Sequence, residues 1–448
     1  MAAKKARRRP TASGTDLISA LPDGVRDHVL SFLPAHEAVR ASLLVSRSWR
    51  DLWMKSPALH ISAWGTIDEF TSFVYGLLEA RLAAPAAPLL SCDFDLSDPC
   101  FKQRCEDDDV NEEVRWVQEA LENSWIKDAL KCNVQVLRAA FWGRPEWSFD
   151  DPWRFDLPVS KHLKELDLEF ARLNEDSNHV VDFSGCPALL KLKMKDCTVN
   201  ADQMRSPSLE NLIMVHCYFR EMECTLIRLP SLITLELTDC FGRKPLLEDF
   251  PSLTTAVVRL DHCCYDNFWT RSGHHGHDHH GECSKCLSDD GSIFDFNRDI
   301  MPCPEFSKLK TLVLIDWFVA DGLSALPWFL QHSPILERLT LEFQSEAQKS
   351  SEGTKRKCNV LEQSVASKHL KIVEIRCKEE GMLMVLQILK ILKAFGVPLE
   401  KIDIRCSEKG YGCEYSSNFH FLNLSITLSK INQAFRFKLP TAKTYSCT

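Results

Sequence analysis

The sequence predicts an α/β protein in which a small helical module leads into a curved solenoid of parallel strands. Two observations carry the prediction. Near the start, "LPDGVRDHVLSFLP" (21–34) sets apolar residues at helical spacing between two prolines. Farther on, a leucine-rich, strand-like pattern recurs at a steady interval.

In the first stretch Pro22 stands where a helix can begin, because the first helical residue has no use for its N–H, and Pro34 stands where a helix must stop. Between them Val25, Val29 and Leu33 recur every four residues, with Leu30 and Phe32 widening the stripe. A helix of about three turns is too short to stand alone in water. Beyond Pro34, Val39 and Leu43 are four apart, as are Trp49 and Trp53, and Ser46 is placed to cap a last helix. Two or three helices this short enclose little core, and such modules commonly bury their remaining apolar surface in a partner.

The repeat lies downstream. "PALLKLKMKDC" begins at 187, "PSLENLIMVHC" at 207, "PSLITLELTDC" at 230 and "PSLTTAVVRLD" at 251. Their leading residues Leu189, Leu209, Leu232 and Leu253 are 20, 23 and 21 apart. Looser copies begin at 133, 162, 309, 336 and 369. The inner leucines and methionines would point into the solenoid. Cys197, Cys217 and Cys240, at one place in three copies, would lie inside the turn and satisfy loop backbone groups. The residues between the inward positions would face the concave surface: Lys191, Lys193 and Lys195, then Asn211 and Ile213, Thr234 and Glu236, Thr311 and Val313, Arg338 and Thr340. Lys191, Lys193, Asn211, Ile213, Thr234, Glu236 and Arg338 are the candidate target-binding residues, and the three lysines suggest an acidic protein surface.

Composition excludes several functions. Over 448 residues, 45% apolar and 26% charged content is ordinary for a globular protein. The net charge is −8 although Lys4, Lys5, Arg7, Arg8 and Arg9 open the chain without an acid, so the body is more acidic than the total. That argues against nucleic-acid binding, which needs basic surface to neutralise phosphates. The best membrane candidate, "MLMVLQILKILKAF" (382–395), is interrupted by Gln387, Lys390 and Lys393 and reads as an amphipathic helix. The basic cluster runs into "PTASGTD" rather than an apolar segment, so an intracellular protein with reduced cysteines is expected, in the nucleus or cytoplasm. No phosphate-binding loop, nucleophile elbow or H-E-x-x-H motif stands out, and "CEDDDVNEE" (105–113) reads as an exposed, acidic helix start.

One segment breaks the repeat frame. Between Leu253 and Leu309 lies "CCYDNFWTRSGHHGHDHHGECSKC". Cys283 and Cys286 have zinc-ligand spacing, with His277 and His279 close by. A structural zinc site takes two separated pairs, however, so the segment reads as a polar loop and no cofactor is expected.

Residues 16–61 resemble an F-box: a Leu-Pro pair, a helix, a second Pro, then a Ser-x-x-Trp helix. The matching positions are Leu21, Pro22, Val29, Leu33, Pro34, Val39, Ala41, Leu43, Val45, Ser46, Trp49 and Trp53. The resemblance implies docking to the SKP-type adaptor of a cullin ubiquitin ligase, with Leu21, Pro22, Val25, Val29, Leu33, Pro34, Leu43 and Trp49 as adaptor-binding candidates. The later frame is similar to the leucine-rich repeat, and 368–405 resembles the FBD region that follows such repeats in plant F-box proteins. The expected organisation is a basic tail (1–15), F-box (16–61), connecting segment (62–125), repeats (126–345, with the insert at about 262–303), FBD-like repeats (346–410) and a C-terminal segment (411–448). The expected function is a non-catalytic receptor that holds a protein target for ubiquitin transfer. The alternative is a repeat scaffold or sensor outside any ligase.

Overall fold

The computed structural model describes residues 21–45, 49–83, 89–96, 123–141, 153–173, 179–219, 225–242, 245–248, 250–260, 306–316, 323, 325–343, 369–378 and 382–407. The chain divides into two compact units, residues 1–143 with 158–167, and residues 144–157 with 168–448. The fold is α/β, with a helical region at the start and long runs of parallel strands after it.

In the first unit the carbonyl of Pro22 accepts the N–H groups of Val25 and Arg26, and helix α1 (Asp23–Leu30) follows. The carbonyl of Pro34 accepts the N–H of Ala38 at 2.9 Å, so this proline opens helix α2 (Ala35–Val45) as well as stopping α1. The expected last helix is a single 3-10 turn, Leu52–Lys55, among the described residues, which do not include Ser46. Leu30, Ala38, Trp49 and Leu52 form the small core here, with Leu33 and Ala41 packed against it.

Parallel strands then begin at once. Ala58–Ser62 pairs with Ser91–Asp95, which pairs with Val136–Ala140, each burying alternate residues such as Ile61, Phe94 and Leu137. Helix α3 (Ile67–Ala83) connects the first two strands, and a helix over residues 123–131 precedes the third. Residues 62–125, expected to be a connecting segment, therefore hold a helix and a strand of the sheet. The buried Arg81 of α3 donates to the carbonyls of Trp53 (3.2 Å), Met54 and Ser56 (2.7 Å). Those carbonyls end the 3-10 turn, so a guanidinium supplies donors that water supplies at an exposed end.

Glu165–Glu169 forms a further strand, with Leu166 and Leu168 buried. In the second unit Lys191–Lys195, Asn211–Val215, Thr234–Gly242, Thr255–Leu260, Thr311–Ile315, Arg338–Phe343, Ile372–Lys378 and Ile402–Ser407 pair in sequence order, all parallel. The inward positions are buried as the repeat predicts: Leu209, Leu212 and Met214 in one copy, Leu232, Leu235 and Leu237 in the next. Each turn is locked at the strand entrance by one carbonyl that accepts two amides. Leu190 accepts from Glu210 and Asn211, Glu210 from Ile233 and Thr234, Ile233 from Thr254 and Thr255. A second parallel sheet, Val180–Asp182, Gln203–Arg205, Leu226–Arg228 and Leu246–Glu248, links the same turns. The 382–395 stretch forms the helix Met382–Ala394 between two strands, burying Val385, Ile388, Leu389 and Leu392 with Gln387, Lys390 and Lys393 exposed. No helix among the described residues is long and apolar enough to cross a membrane.

The strands end in a common way. Asp196, His216 and Asp316 follow a strand and Asp239 sits at a register shift within one, all with positive φ, between 51° and 58°. Asp and His are among the non-glycine residues that tolerate this left-handed turn best. It drops the next residue into the interior, and in three copies that residue is cysteine. The Cys197 thiol donates to the carbonyls of Lys195 (3.2 Å) and Leu168 (3.5 Å), Cys217 to those of Met194 and Val215, and Cys240 to those of Met214 and Thr238. Burial pushes the Cys217 thiol well above its ordinary pKa, so it stays protonated and keeps donating.

Candidate functional site

Two surfaces concentrate the side chains expected to bind partners. The first is on α1 and α2. Val25 and Val29, one helical turn apart, are each 44% exposed, Phe32 is 72%, Leu43 61% and Leu44 73%. These five are among thirteen large apolar side chains left exposed in the described residues, yet they lie within twenty positions of each other. Pro22 is exposed, and Leu21, Leu33 and Pro34 are half-buried. Phe32 is steadied by the edge of the His28 ring, 4.7 Å away. Phe32 and Leu44 were not on the adaptor-binding list, although both have the apolar character that would have put them there.

Trp49 does differ from its neighbours on that list. It is 3% exposed and belongs to the internal core, with the Arg26 guanidinium 5.9 Å from its ring centroid. Its side chain packs with Leu30, Ala38 and Leu52 and not among the exposed residues. The i, i+4 spacing of Trp49 and Trp53 reports a common helical side but not which way that side points, and both indoles turn inward.

The second surface is the strand face opposite the buried leucines. Register aligns its residues in three lanes. One runs Lys191, Asn211, Thr234, Thr255, Thr311, Arg338; the next Lys193, Ile213, Glu236, Val257, Val313. The third runs Lys195, Val215, Thr238, Arg259, Ile315, Glu342. All seven candidate target-binding residues are half-buried or exposed here. Thr340 is the exception among the face positions read from the repeat: it is buried, at 5% exposure. Of the third lane the sequence reading includes only Lys195; in the other copies it stops one period short of the strand end.

Charge on this face is largely paired off. Lys195 meets Glu169 and, at 3.6 Å, Asp196, while Lys191 and Lys193 also have contacts of their own. The lysines therefore give little support to an acidic target. Toward the other end Arg376 bridges Glu342 and Glu374, and Arg405 bridges Glu374 and Asp403, at 3.0–3.3 Å. On the first unit's strands the His60 Nδ1 lies 3.0 Å from an Asp93 carboxylate oxygen. Burial raises the Asp93 pKa against the pull of that histidine. His60 and Asp93 are register partners on adjacent strands, and the contact reads as a cross-strand pair.

Cys283, Cys286, His277 and His279, the basic tail and the 105–113 cluster lie outside the described residues. Among the described residues no group of three or more His, Cys, Asp or Glu side chains is arranged to hold a metal.

Comparison with known proteins agrees with this arrangement. The F-box domain family matches residues 18–60. An Arabidopsis thaliana protein named as an F-box/LRR-repeat protein is 29% identical over 206 residues, 40% of this chain and 39% of that protein. An F-box/FBD/LRR-repeat protein of the same plant is 24% identical over 385 residues, covering 75% of this chain and 78% of its own length. Another F-box/LRR-repeat protein is 48% identical over 48 residues, 11% of this chain and 10% of that one. The chain spans about two-fifths of the length of the first relatives it matches. With an F-box domain at its start and a ladder of leucine-rich strands after it, the chain is similar to plant F-box/LRR-repeat and F-box/FBD/LRR-repeat proteins.

Proposed function

We propose that this chain is the substrate-recognition subunit of an SKP-cullin-F-box ubiquitin ligase. The α1–α2 face docks on the SKP-type adaptor, and the strand face holds a protein target. The observation that supports this most is the exposure of Val25, Val29, Phe32, Leu43 and Leu44 over a core as small as Leu30, Ala38, Trp49 and Leu52. A module so thinly enclosed gains from a partner that covers it. The chain performs no chemistry in this scheme. Holding the target near the ligase raises its effective concentration there, and proximity does the rest. The complex works in the nucleus or cytoplasm.

Co-expression with an SKP-type adaptor tests the reading. A receptor co-purifies with the adaptor in one-to-one ratio and gains solubility from it. A scaffold or sensor outside any ligase behaves the same with or without it, and that result overturns the proposal.

A further inference from the structure

The four central strands of the second unit, Asn211–Val215, Thr234–Gly242, Thr255–Leu260 and Thr311–Ile315, present twelve aligned outward positions. Five are aliphatic: Ile213, Val215, Val257, Val313 and Ile315. Five are neutral hydrogen-bonding groups: Asn211, Thr234, Thr238, Thr255 and Thr311. The other two are Glu236 and Arg259, one of each sign, and Arg259 is already paired with Asp239 at 3.0 Å. Lysines flank the platform on one side and the Glu342–Arg376–Glu374–Arg405 network on the other, but the second is self-neutralised and Lys195 is held by Glu169 and Asp196.

The first lane has a further property. Asn211, Thr234, Thr255 and Thr311 stand side by side on adjacent strands, and none forms a side-chain hydrogen bond among the described residues. Half-buried hydrogen-bonding groups left without partners are suited to a ligand that brings donors and acceptors of its own. The next lane sets Val257 against Val313 in register. With strands about 4.8 Å apart and alternate residues about 6.6 Å apart, the platform measures roughly 14 by 13 Å, the reach of about four extended residues.

We propose that this platform binds a short, uncharged, aliphatic segment of the target protein, its peptide groups on the Asn/Thr lane and its side chains on the Val/Ile lane. The inference rests on the receptor reading for the identity of the bound protein as a ligase target. It specifies the chemistry of that target: a charged segment would lose hydration over a neutral platform and find few countercharges free to replace it.

A random-peptide display library panned on the full chain bound to its adaptor tests this, followed by affinity measurement of the consensus peptide. The expected consensus is rich in Val, Ile and Leu with a net charge near zero. Val257→Thr combined with Val313→Thr keeps side-chain shape and should weaken that peptide about tenfold, whereas Lys191→Glu with Lys193→Glu should change it less than about twofold. An acidic consensus lost on charge reversal of the lysines overturns the proposal. So does the absence of any consensus, or a consensus indifferent to the valine pair. Peptide binding that emerges only when residues 265–300 are deleted gives the platform to the chain's own insert, and self-association abolished by the valine pair gives it to a second copy; either result also overturns it. Adaptor pull-down on the same samples separates the two readings. Lost adaptor binding with the valine effect intact sinks the receptor and spares the platform, and the reverse sinks the platform alone.

Discussion

His216 lies between Asp196 and Asp239, with Nδ1 3.4 Å from one carboxylate and Nε2 3.4 Å from the other. The three residues occupy the same left-handed position in consecutive turns, so the repeat itself stacks them. Hydrogen bonds to Asp196 and then Asp239 favour the imidazolium and hold its pKa up at about 9. The folded value exceeds the ordinary 6.5, so the stabilisation is complete below about pH 6.5 and is lost as pH rises through 9. The side chain is 44% exposed, and solvent screening keeps the effect below about 1 kcal/mol. His216→Asn retains a residue suited to positive φ and removes the charge. Its melting temperature should fall below that of the wild-type chain at pH 6.5, and the gap should close by pH 9.5. A gap independent of pH would mean that packing, not charge, is what His216 contributes.

Gly242 ends a long strand with φ +74°, and a Cβ built there would stand 1.9 Å from the carbonyl oxygen of Phe219. That oxygen belongs to the neighbouring short strand Tyr218–Phe219, which pairs with Phe241 and Gly242. Gly242→Ala must push backbone away from backbone as well as strain its own φ, so a loss of at least about 2 kcal/mol is expected. The midpoint of urea unfolding measures it. An unchanged midpoint would show that the pairing of these two strands is dispensable.

Much of this was legible in the sequence because leucine-rich strands carry two superposed periods, two residues within a strand and about twenty-one between strands. Leu209, Leu212 and Met214 declare themselves by the first, and their copies by the second. The early strands "ALHIS" and "SCDFD" obey only the first period, with Leu59, Ile61, Cys92 and Phe94 buried, and a single alternating pentamer is no evidence of a repeat. Asp196, His216 and Asp239 read as ordinary polar residues before a cysteine. That a left-handed residue is needed there follows only from the path of the chain.

The ladder also bears on the His-rich insert. Although Leu253 and Leu309 are 56 residues apart, strands Thr255–Leu260 and Thr311–Ile315 pair in unbroken register. Thr254 accepts the amides of Lys310 and Thr311 just as Ile233 accepts those of Thr254 and Thr255. The insert is thus added to a turn whose ends meet without it. Deleting residues 265–300 should leave the thermal transition nearly unchanged, because loop-closure cost grows only slowly with length. A large loss of stability in the deletion, together with zinc-dependent stabilisation of the full chain, would make the insert a structural metal site.

The helical face gives the sharpest contrast between a docking residue and a core residue. Leu21 is half-buried and Pro22 exposed, and the hydrogen bonds at the start of α1 use the Pro22 carbonyl, which alanine retains. Truncating both removes surface without removing core. Interface anchors commonly cost about 2 kcal/mol or more when cut to alanine, so Leu21→Ala with Pro22→Ala should weaken adaptor binding by roughly thirty-fold or more. The melting transition should barely move. Trp49→Ala should behave differently: it empties the centre of a core built from Leu30, Ala38 and Leu52, and a loss of about 3–5 kcal/mol would unfold the module and take binding with it. Pull-down with the adaptor and a thermal scan on both variants decide the matter. Should the double variant bind as well as the wild-type chain, or lose binding only as it unfolds, the α1 entrance is not the docking site.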